Sequence, residues 1–312
     1  MSNITAENIK LLREKTGAGM MDCKKALLEN NGDIDKATGW LRKKGIAKAE
    51  KKSLRVAAQG LVGLKTSDDF SLLIEINSET DFVAKNLDFQ NFVDNILNIG
   101  SSRQYSIDSI LKAKHSDDET VADALQNLIA KIGENIVIRR LSYLNTDSKN
   151  IVFGSYIHNK IKSNIGRMAC VVKILSNDKS NKDIIDLANK IAMHITASKP
   201  LALDEKSLDK NLIEKEREIY ISQLKASGKP ENIIDKIVDG KIKKYLSEVT
   251  LINQNWVLDP SLTLAEVLKD FNNKNNEDLS ILDFKLFILG EGIELKEKSF
   301  SEEVASQVNN TT

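Results

Sequence analysis

Cysteine is scarce in this 312-residue chain: Cys23 and Cys170 lie in separate regions, with no neighbour at metal-ligand spacing. That excludes a disulfide framework as the organising device and points to a reducing compartment. No run of about 18 apolar residues occurs, so no membrane-crossing helix is expected. The opening residues, Met1-Ser-Asn-Ile-Thr5, lack a positive stretch followed by an apolar one. A secretory signal or organelle-targeting extension is therefore not expected, and the cytoplasm is the expected compartment. Excess charge of one sign is also missing, with 45 Lys and Arg against 45 Asp and Glu. Proteins that hold nucleic acid by general electrostatics usually carry a clear positive excess, so that class is disfavoured.

The signatures of catalysis are absent as well. There is no Gly-x4-Gly-Lys-Ser/Thr loop to cradle phosphates. Gly17-Ala-Gly19 and Gly290-Glu-Gly292 are fragments that lack the third glycine of a dinucleotide fingerprint. None of His115, His158 and His194 has the i, i+4 partner of a helical zinc site. His194, between Met193 and Ile195, reads as a packed core histidine. No nucleophile stands beside a recognisable base. The expectation is a protein that is not an enzyme and holds no cofactor.

What is present is a globular composition, 41% hydrophobic and 29% charged, in a chain long enough for two or more units. The charge is uneven: residues 1–55 hold 13 basic and 7 acidic side chains. That stretch reads as a solvated helix face, or as a surface for an acidic protein or a nucleic acid.

Residues 4–46 predict three short helices. Ile4, Ile9 and Leu12 give the first its stripe and Thr5 its cap. The second, from Met20, carries Ala26, Leu27 and Leu28. The third, capped by Asp33, carries Ile34, Ala37 and Leu41 and stops at Gly45. So small a core is marginal alone, and such a unit typically exists to bind something. Residues 47–59 read as a linker or a helical extension.

Two apolar runs, Gly60–Lys65 and Phe70–Ile76, predict a β-hairpin. A helix comes next over Leu87–Leu97, with Phe89, Phe92, Val93, Ile96 and Leu97 at helical spacing. A second helix, with Ser116 and Glu119 as a capping box, runs to Gly133 with Val121, Leu125, Leu128 and Ile129 inward. Ile136–Leu141 reads as a strand.

The hairpin-then-helix order recurs 94 residues later in Gly154–Ile157, Met168–Leu175 and a helix over Asp183–Thr196. This pattern suggests an internal duplication and two similar α+β subdomains. Residues 204–247 predict an antiparallel helical hairpin around Ser227-Gly-Lys-Pro230, marked by Leu208, Leu212, Ile219 and Leu224, then by Ile234, Val238, Ile242 and Tyr245. Val249–Val257 is read as a further strand. Thr263 and Glu266 form a capping box with Leu262 and Val267 as its staple, and Phe284–Leu289 is a strand. The tail from Ser299 reads as a last helix or a frayed end. The fold class is α+β. Its expected units are 1–55, 56–145, 146–290 with the hairpin inserted at about 204–247, and 291–312.

One stretch is locally odd. Glu79-Thr-Asp-Phe-Val-Ala-Lys-Asn86 joins a strand to a helix. Local chemistry favours Thr80 or Asp81 as a helix cap and Phe82 as a staple into the core, with a functional aromatic as the alternative.

Thr80-Asp-Phe-Val-Ala-Lys-Asn86 resembles a signature of the elongation factor Ts family. So do Leu11–Ala26, Lys131-Ile-Gly-Glu-Asn-Ile136, Ala192–Pro200, Ser227-Gly-Lys-Pro230 and Gly290-Glu-Gly-Ile293, in family order along nearly the whole chain. The resemblance implies a guanine nucleotide exchange factor in translation elongation whose partner is elongation factor Tu. It implies an N-terminal three-helix unit similar to ubiquitin-associated domains, which docks on the partner's nucleotide-binding domain through a surface near Lys10, Arg13, Met20 and Met21. It further implies that Thr80, Asp81, Phe82 and Val83 intrude there, with Ile132 and Gly133 beside them, displacing Mg²⁺ and releasing GDP so that GTP rebinds. His158 would touch another partner domain, and the helical hairpin mediates self-association in some members. The turn after His158, often glycine-rich in the family, here reads Asn159-Lys-Ile-Lys-Ser-Asn164. Two other classes stay open: a nucleic-acid-binding module built on residues 1–55, and an enzyme.

Overall fold

The computed structural model describes residues 4–67, 69–146 and 150–294. The expected last helix after Ser299, and most of the 291–312 unit, lie outside them.

The chain opens with α1 (Ala6–Thr16), α2 (Met20–Glu29) and α3 (Ile34–Lys52). Thr5 caps α1 by accepting from the Asn8 N–H, and Gly17 ends it in the left-handed region at φ 67°. Leu12, Cys23, Ala26, Leu27 and Ala37 are fully buried, with Ile9, Ile34, Trp40 and Leu41 packed around them. Leu28, read as part of the apolar stripe, is exposed instead. Gly45 does not end α3, which runs on to Lys52. A Cβ at Gly45 would stand 3.3 Å from the Cβ of Ala130. The glycine lets two helices approach closely; it is not a stop signal here.

The first sheet is built from β1 (Gln59–Thr66) and β2 (Phe70–Ser78), the expected antiparallel hairpin. After β2 come α4 (Asp81–Ala84), α5 (Leu87–Gly100), α6 (Ile107–Leu111), β3 (Lys114–Ser116), β4 (Glu119–Thr120), α7 (Val121–Ile132) and β5 (Ile136–Asn145). Ser116 and Glu119 do not cap α7, because they sit in the small β3–β4 ribbon. The capping box is formed further along by Thr120 and Asp123. Phe89, Phe92, Val93, Ile96 and Leu97 of α5, with Val121, Leu128 and Ile129 of α7, cover Leu61, Leu72, Ile74 and Ile76 of the sheet.

The second sheet comes from β6 (Ile151–His158) and β8 (Met168–Leu175), after which the chain forms α8 (Lys182–Ser198). Between the strands, β7 (Ile165–Gly166) crosses over to pair with β1. Gly154 on β6 lies directly under α8: a Cβ there would be 2.2 Å from the Ala188 backbone. The chain continues through α9 (Lys210–Ala226), α10 (Glu231–Val249), β9 (Asn255–Trp256), β10 (Asp259–Thr263), α11 (Leu264–Asn275) and β11 (Ser280–Ile288). The expected Val249–Val257 strand is mostly not a strand, since α10 reaches Val249 and a 3₁₀ turn spans Leu251–Asn253. Thr263 and Glu266 form the expected capping box.

The sheet orders are β5-β2-β1-β7 and β11-β8-β6, so in each the closing strand flanks the second strand of its hairpin. The sheets pack through Val62, Leu64 and Leu73 against Ile157, Ala169, Val171 and Phe287. Helices therefore lie outermost, with two sheets between them: an α+β architecture. The pair α9 and α10 forms the expected helical hairpin around Gly228, with Leu224, Ile234, Val238 and Ile242 buried. Leu212 and Ile219, expected on its inner face, are exposed. Ile213, Tyr220 and Ile221 take those places.

Candidate functional site

The strand β2 is buried along all nine of its residues and lies between β1 and β5. The segment after Ser78 is thus launched from a strand held on both sides. It forms the four-residue α4. Val83 and Ala84 turn inward into the core. Phe82, on the same single turn, is 74% exposed. The staple reading of this phenylalanine is wrong: Val83 supplies the buried anchor, and the aromatic ring stands in solvent. Lys85 Nζ lies 5.8 Å from the ring centroid, over its face. Leu87, at the start of α5, adds a second large apolar side chain at 70% exposure.

Thr80 has the extended backbone of an N-cap, yet its side chain makes no cap bond. Its hydroxyl donates to Oε1 of Glu134 at 2.6 Å, and its N–H donates to Oε2 at 2.9 Å. A reciprocal bond runs the other way, where the Asn135 N–H donates to Oε1 of Glu79 at 2.6 Å. Glu79 also pairs with Arg55 at 3.5 Å, and the Asn135 side chain donates to the Arg55 carbonyl at 2.7 Å. Three segments distant in sequence meet at the foot of Phe82: the β2–α4 turn, the α7–β5 turn and the linker after α3. The Gln90 side chain closes the far end by donating to the Ala84 carbonyl.

Ile132 and Gly133 belong to the α7–β5 turn and so lie in the element that holds Thr80. Ile132 is half-buried against the core, and Gly133 ends α7 at φ 90°. The structure thus brings together Thr80, Asp81, Phe82, Val83, Ile132 and Gly133. Lys10, Arg13, Met20 and Met21 are on the three-helix unit, all exposed, the two methionines at 59% and 77%. That unit is seated on the core through α3 and α7, helped by an Arg42–Asp123 ion pair. Helix α7 therefore carries the seat of the N-terminal unit, and the turn directly after it carries the brace of the Phe82 turn. A cleft of about 650 Å³ runs between the unit and the core, lined by residues including Lys15, Arg42, Asp88, His115 and Lys131.

His158 stands apart, exposed at the end of β6 in the second sheet. Asn159 takes the left-handed conformation at φ 51° that a glycine would fill most easily. The loop then returns to α5, where Lys162 and Asn164 bond Asp94 at 2.6 and 3.0 Å. His194 is the core histidine expected, bonded to Gln254 and stacked on Trp256, and burial lowers its pKa. Among the described residues no group of three His, Cys, Asp or Glu side chains is placed to share a metal ion. No described helix is long and apolar enough to cross a membrane.

Of the basic side chains in residues 1–55, Lys10, Lys15, Lys36, Arg42, Lys44 and Arg55 each pair with a carboxylate of the protein itself. Those charges are partly neutralised before any polyanion arrives. Glu79 and Glu134 are the site residues that sequence reasoning missed. Each adjoins a residue that the motifs pick out, Thr80 and Gly133 respectively, but the partners in their crossed bonds, Asn135 and Thr80, are more than fifty positions away.

A family model described as Elongation factor TS matches residues 79–291, beginning at the glutamate that opens the Phe82 turn. Among curated proteins, Elongation factor Ts of Rickettsia typhi (strain ATCC VR-144 / Wilmington) is 44% identical over 97% of both chains. Elongation factor Ts of Rickettsia bellii (strain OSU 85-389) is 43% identical over the same shares, and that of Rickettsia felis (strain ATCC VR-1525 / URRWXCal2) is 42% identical.

Proposed function

The chain belongs to the elongation factor Ts family, and from that premise we propose that it is a guanine nucleotide exchange factor for elongation factor Tu in the cytoplasm. The observation that carries this reading is Phe82, an aromatic ring held out in solvent on a turn whose backbone is braced from two sides.

Exchange needs no bond-making by the factor. It needs a surface that binds the nucleotide-free partner more tightly than the nucleotide-bound one; equal affinity for both states would shift nothing. Mg²⁺ bridges nucleotide phosphates and protein and demands near-ideal octahedral geometry, so a small displacement of its surroundings weakens the nucleotide. Asp81 and Phe82 are the intruding pair in this reading. An aromatic suits the task because it brings a large contact area on a stiff frame. Val83 roots the turn in the core. Ile132 and Gly133 flank it, Lys10, Arg13, Met20 and Met21 dock the N-terminal unit, and His158 contacts a second region of the partner. The shared strand order of the two sheets supports a duplicated core. The exposed Leu212 and Ile219 on the outer face of the helical hairpin suit self-association.

The test is release of a fluorescent GDP analogue from elongation factor Tu of the same cell, with the chain at a small fraction of the partner's concentration. Many nucleotides released per chain, with the nucleotide chemically intact, is the expected result. No acceleration by a folded chain on an active partner would refute the function. Turnover of the nucleotide by the chain alone would revive an enzyme, and salt-dependent RNA binding by residues 1–55 would revive the nucleic-acid module.

A further inference from the structure

We propose that Glu134 is a positioning residue for exchange: its carboxylate, together with the reciprocal Glu79–Asn135 bond, holds the Thr80–Val83 turn in the geometry that presents Phe82. The proposal rests on the exchange-factor reading and adds residues which that reading does not name.

The turn needs such a brace. It has four helical residues, far short of a self-sustaining helix. Its N-cap side chain is diverted from capping, so the local helix gains nothing from it. Only Val83 and Ala84 are rooted in the core, and Phe82 gains little packing from where it stands. The last sheet pairing before the turn is Ser78 with Ile136. Beyond that rung the two chains would part, and the crossed carboxylates take over from the ladder there. Glu134 accepts both donors of Thr80. Glu79 accepts the backbone donor next to Glu134. Bonds to an ionised carboxylate are shorter and stronger than neutral ones, and two on one residue fix direction as well as distance. The second arm of Glu79 reaches Arg55, so the same fastening ties the Phe82 turn to the linker from the N-terminal unit. A ring that must enter a partner at one place benefits from being ordered beforehand, because ordering it after docking would add to the barrier of the displacement step.

The clamp makes no claim on partner contacts, so its loss belongs in the rate and not in docking. The experiment compares full-length wild type, Glu134→Ala, Glu134→Gln, Thr80→Val, Glu79→Ala and Phe82→Ala in fluorescent-GDP release from elongation factor Tu. Both the saturating rate and the half-saturating concentration are read, and melting curves confirm folding. Glu134→Ala is expected to lower the saturating rate about tenfold or more, the scale of a single lost charge-assisted hydrogen bond, with half-saturation within about twofold. Glu134→Gln keeps an oxygen for the Thr80 N–H and an amine that can donate to the Thr80 hydroxyl, so it is expected to stay within about threefold of wild type. A wild-type saturating rate in folded Glu134→Ala, alongside a clear loss in Phe82→Ala, would overturn the clamp alone. Equal losses in the Ala and Gln variants would also overturn it, because a side chain of the same length that can still bond both Thr80 groups would then hold the turn no better than a methyl group. If Glu134→Ala does not fold, Thr80→Val and Glu79→Ala decide together: a reduced saturating rate in both, with half-saturation near wild type, upholds the clamp, and an unchanged rate in either overturns it. No loss in Phe82→Ala would remove the site reading, and the clamp with it.

Discussion

Glu75 shows how much one side chain in this fold depends on partners that are remote in sequence. It lies fully buried in β2, where burial alone would raise its pKa. The Gly290 N–H at 2.8 Å, Arg140 at 2.6 Å and Arg139 at 2.9 Å outweigh that, and the carboxyl is held below its ordinary value. A register shift between Glu75 and Ile76 in the β2–β5 ladder sets two arginines against one glutamate. Because the folded pKa is lowered, its stabilisation is full above the ordinary value of 4.5 and is lost as pH falls through the lower folded value. Glu75→Gln is therefore expected to be less stable than wild type at pH 7 by about 1.5–3 kcal/mol, the scale of a lost hydrogen bond to a charged group, because Arg140 keeps Glu291 at 3.3 Å and the Ile288 carbonyl as partners. The gap in denaturant midpoint should narrow steadily below pH 4.5. A gap that stays constant to about pH 3 would contradict this. In the sequence Glu75 is one polar letter in an apolar run, and neither its burial nor its arginines can be read there. Glu79 and Glu134 were hidden for the same reason: a carboxylate's partner is fixed by the strand register, which local spacing does not encode.

Elements were legible where a single amphipathic face decides them. Phe89 to Leu97 on α5 and Ile234 to Ile242 on α10 bury the residues their spacing picks out. Boundaries failed where tertiary contact replaced a local signal. Gly45 reads as a helix stop but serves the α3–α7 crossing, and Ser116 and Glu119 read as a cap but form a ribbon. The helical hairpin fits an inserted element, since its two ends meet: the Leu201 N–H donates to the Val249 carbonyl, and the Leu251 N–H donates to the Ala202 carbonyl. Its buried side chains pack on one another in a cluster separate from both sheets. Replacing residues 205–247 by a short Gly-Ser linker is expected to leave the rest folded, because loop closure over a small gap costs little. Melting by circular dichroism, with native hydrogen exchange over β6 and β8, checks this. Collapse of the second sheet on excision would contradict it.

At the scale of the whole molecule the chain forms a frame that sets two exposed features, the proposed partner contacts, in fixed relation. The three-helix unit, with exposed Met20 and Met21, is seated on α7, and the turn at the end of α7 braces Phe82. Motifs in the sequence marked both features. Their common support could not be read from it, because it depends on how α3 crosses α7 and on the turn bonds at Glu79 and Glu134. If this relation is what drives exchange, docking and displacement are separable. The most direct measurement is the saturating rate of GDP release from elongation factor Tu by Phe82→Ala. The expected result is a fall of about tenfold or more, with the half-saturating concentration near that of wild type, since the ring acts in displacing the nucleotide and not in docking, and tenfold corresponds to about 1.4 kcal/mol of barrier. An unchanged saturating rate from the folded variant would contradict the account and move the displacement of nucleotide to another part of the surface.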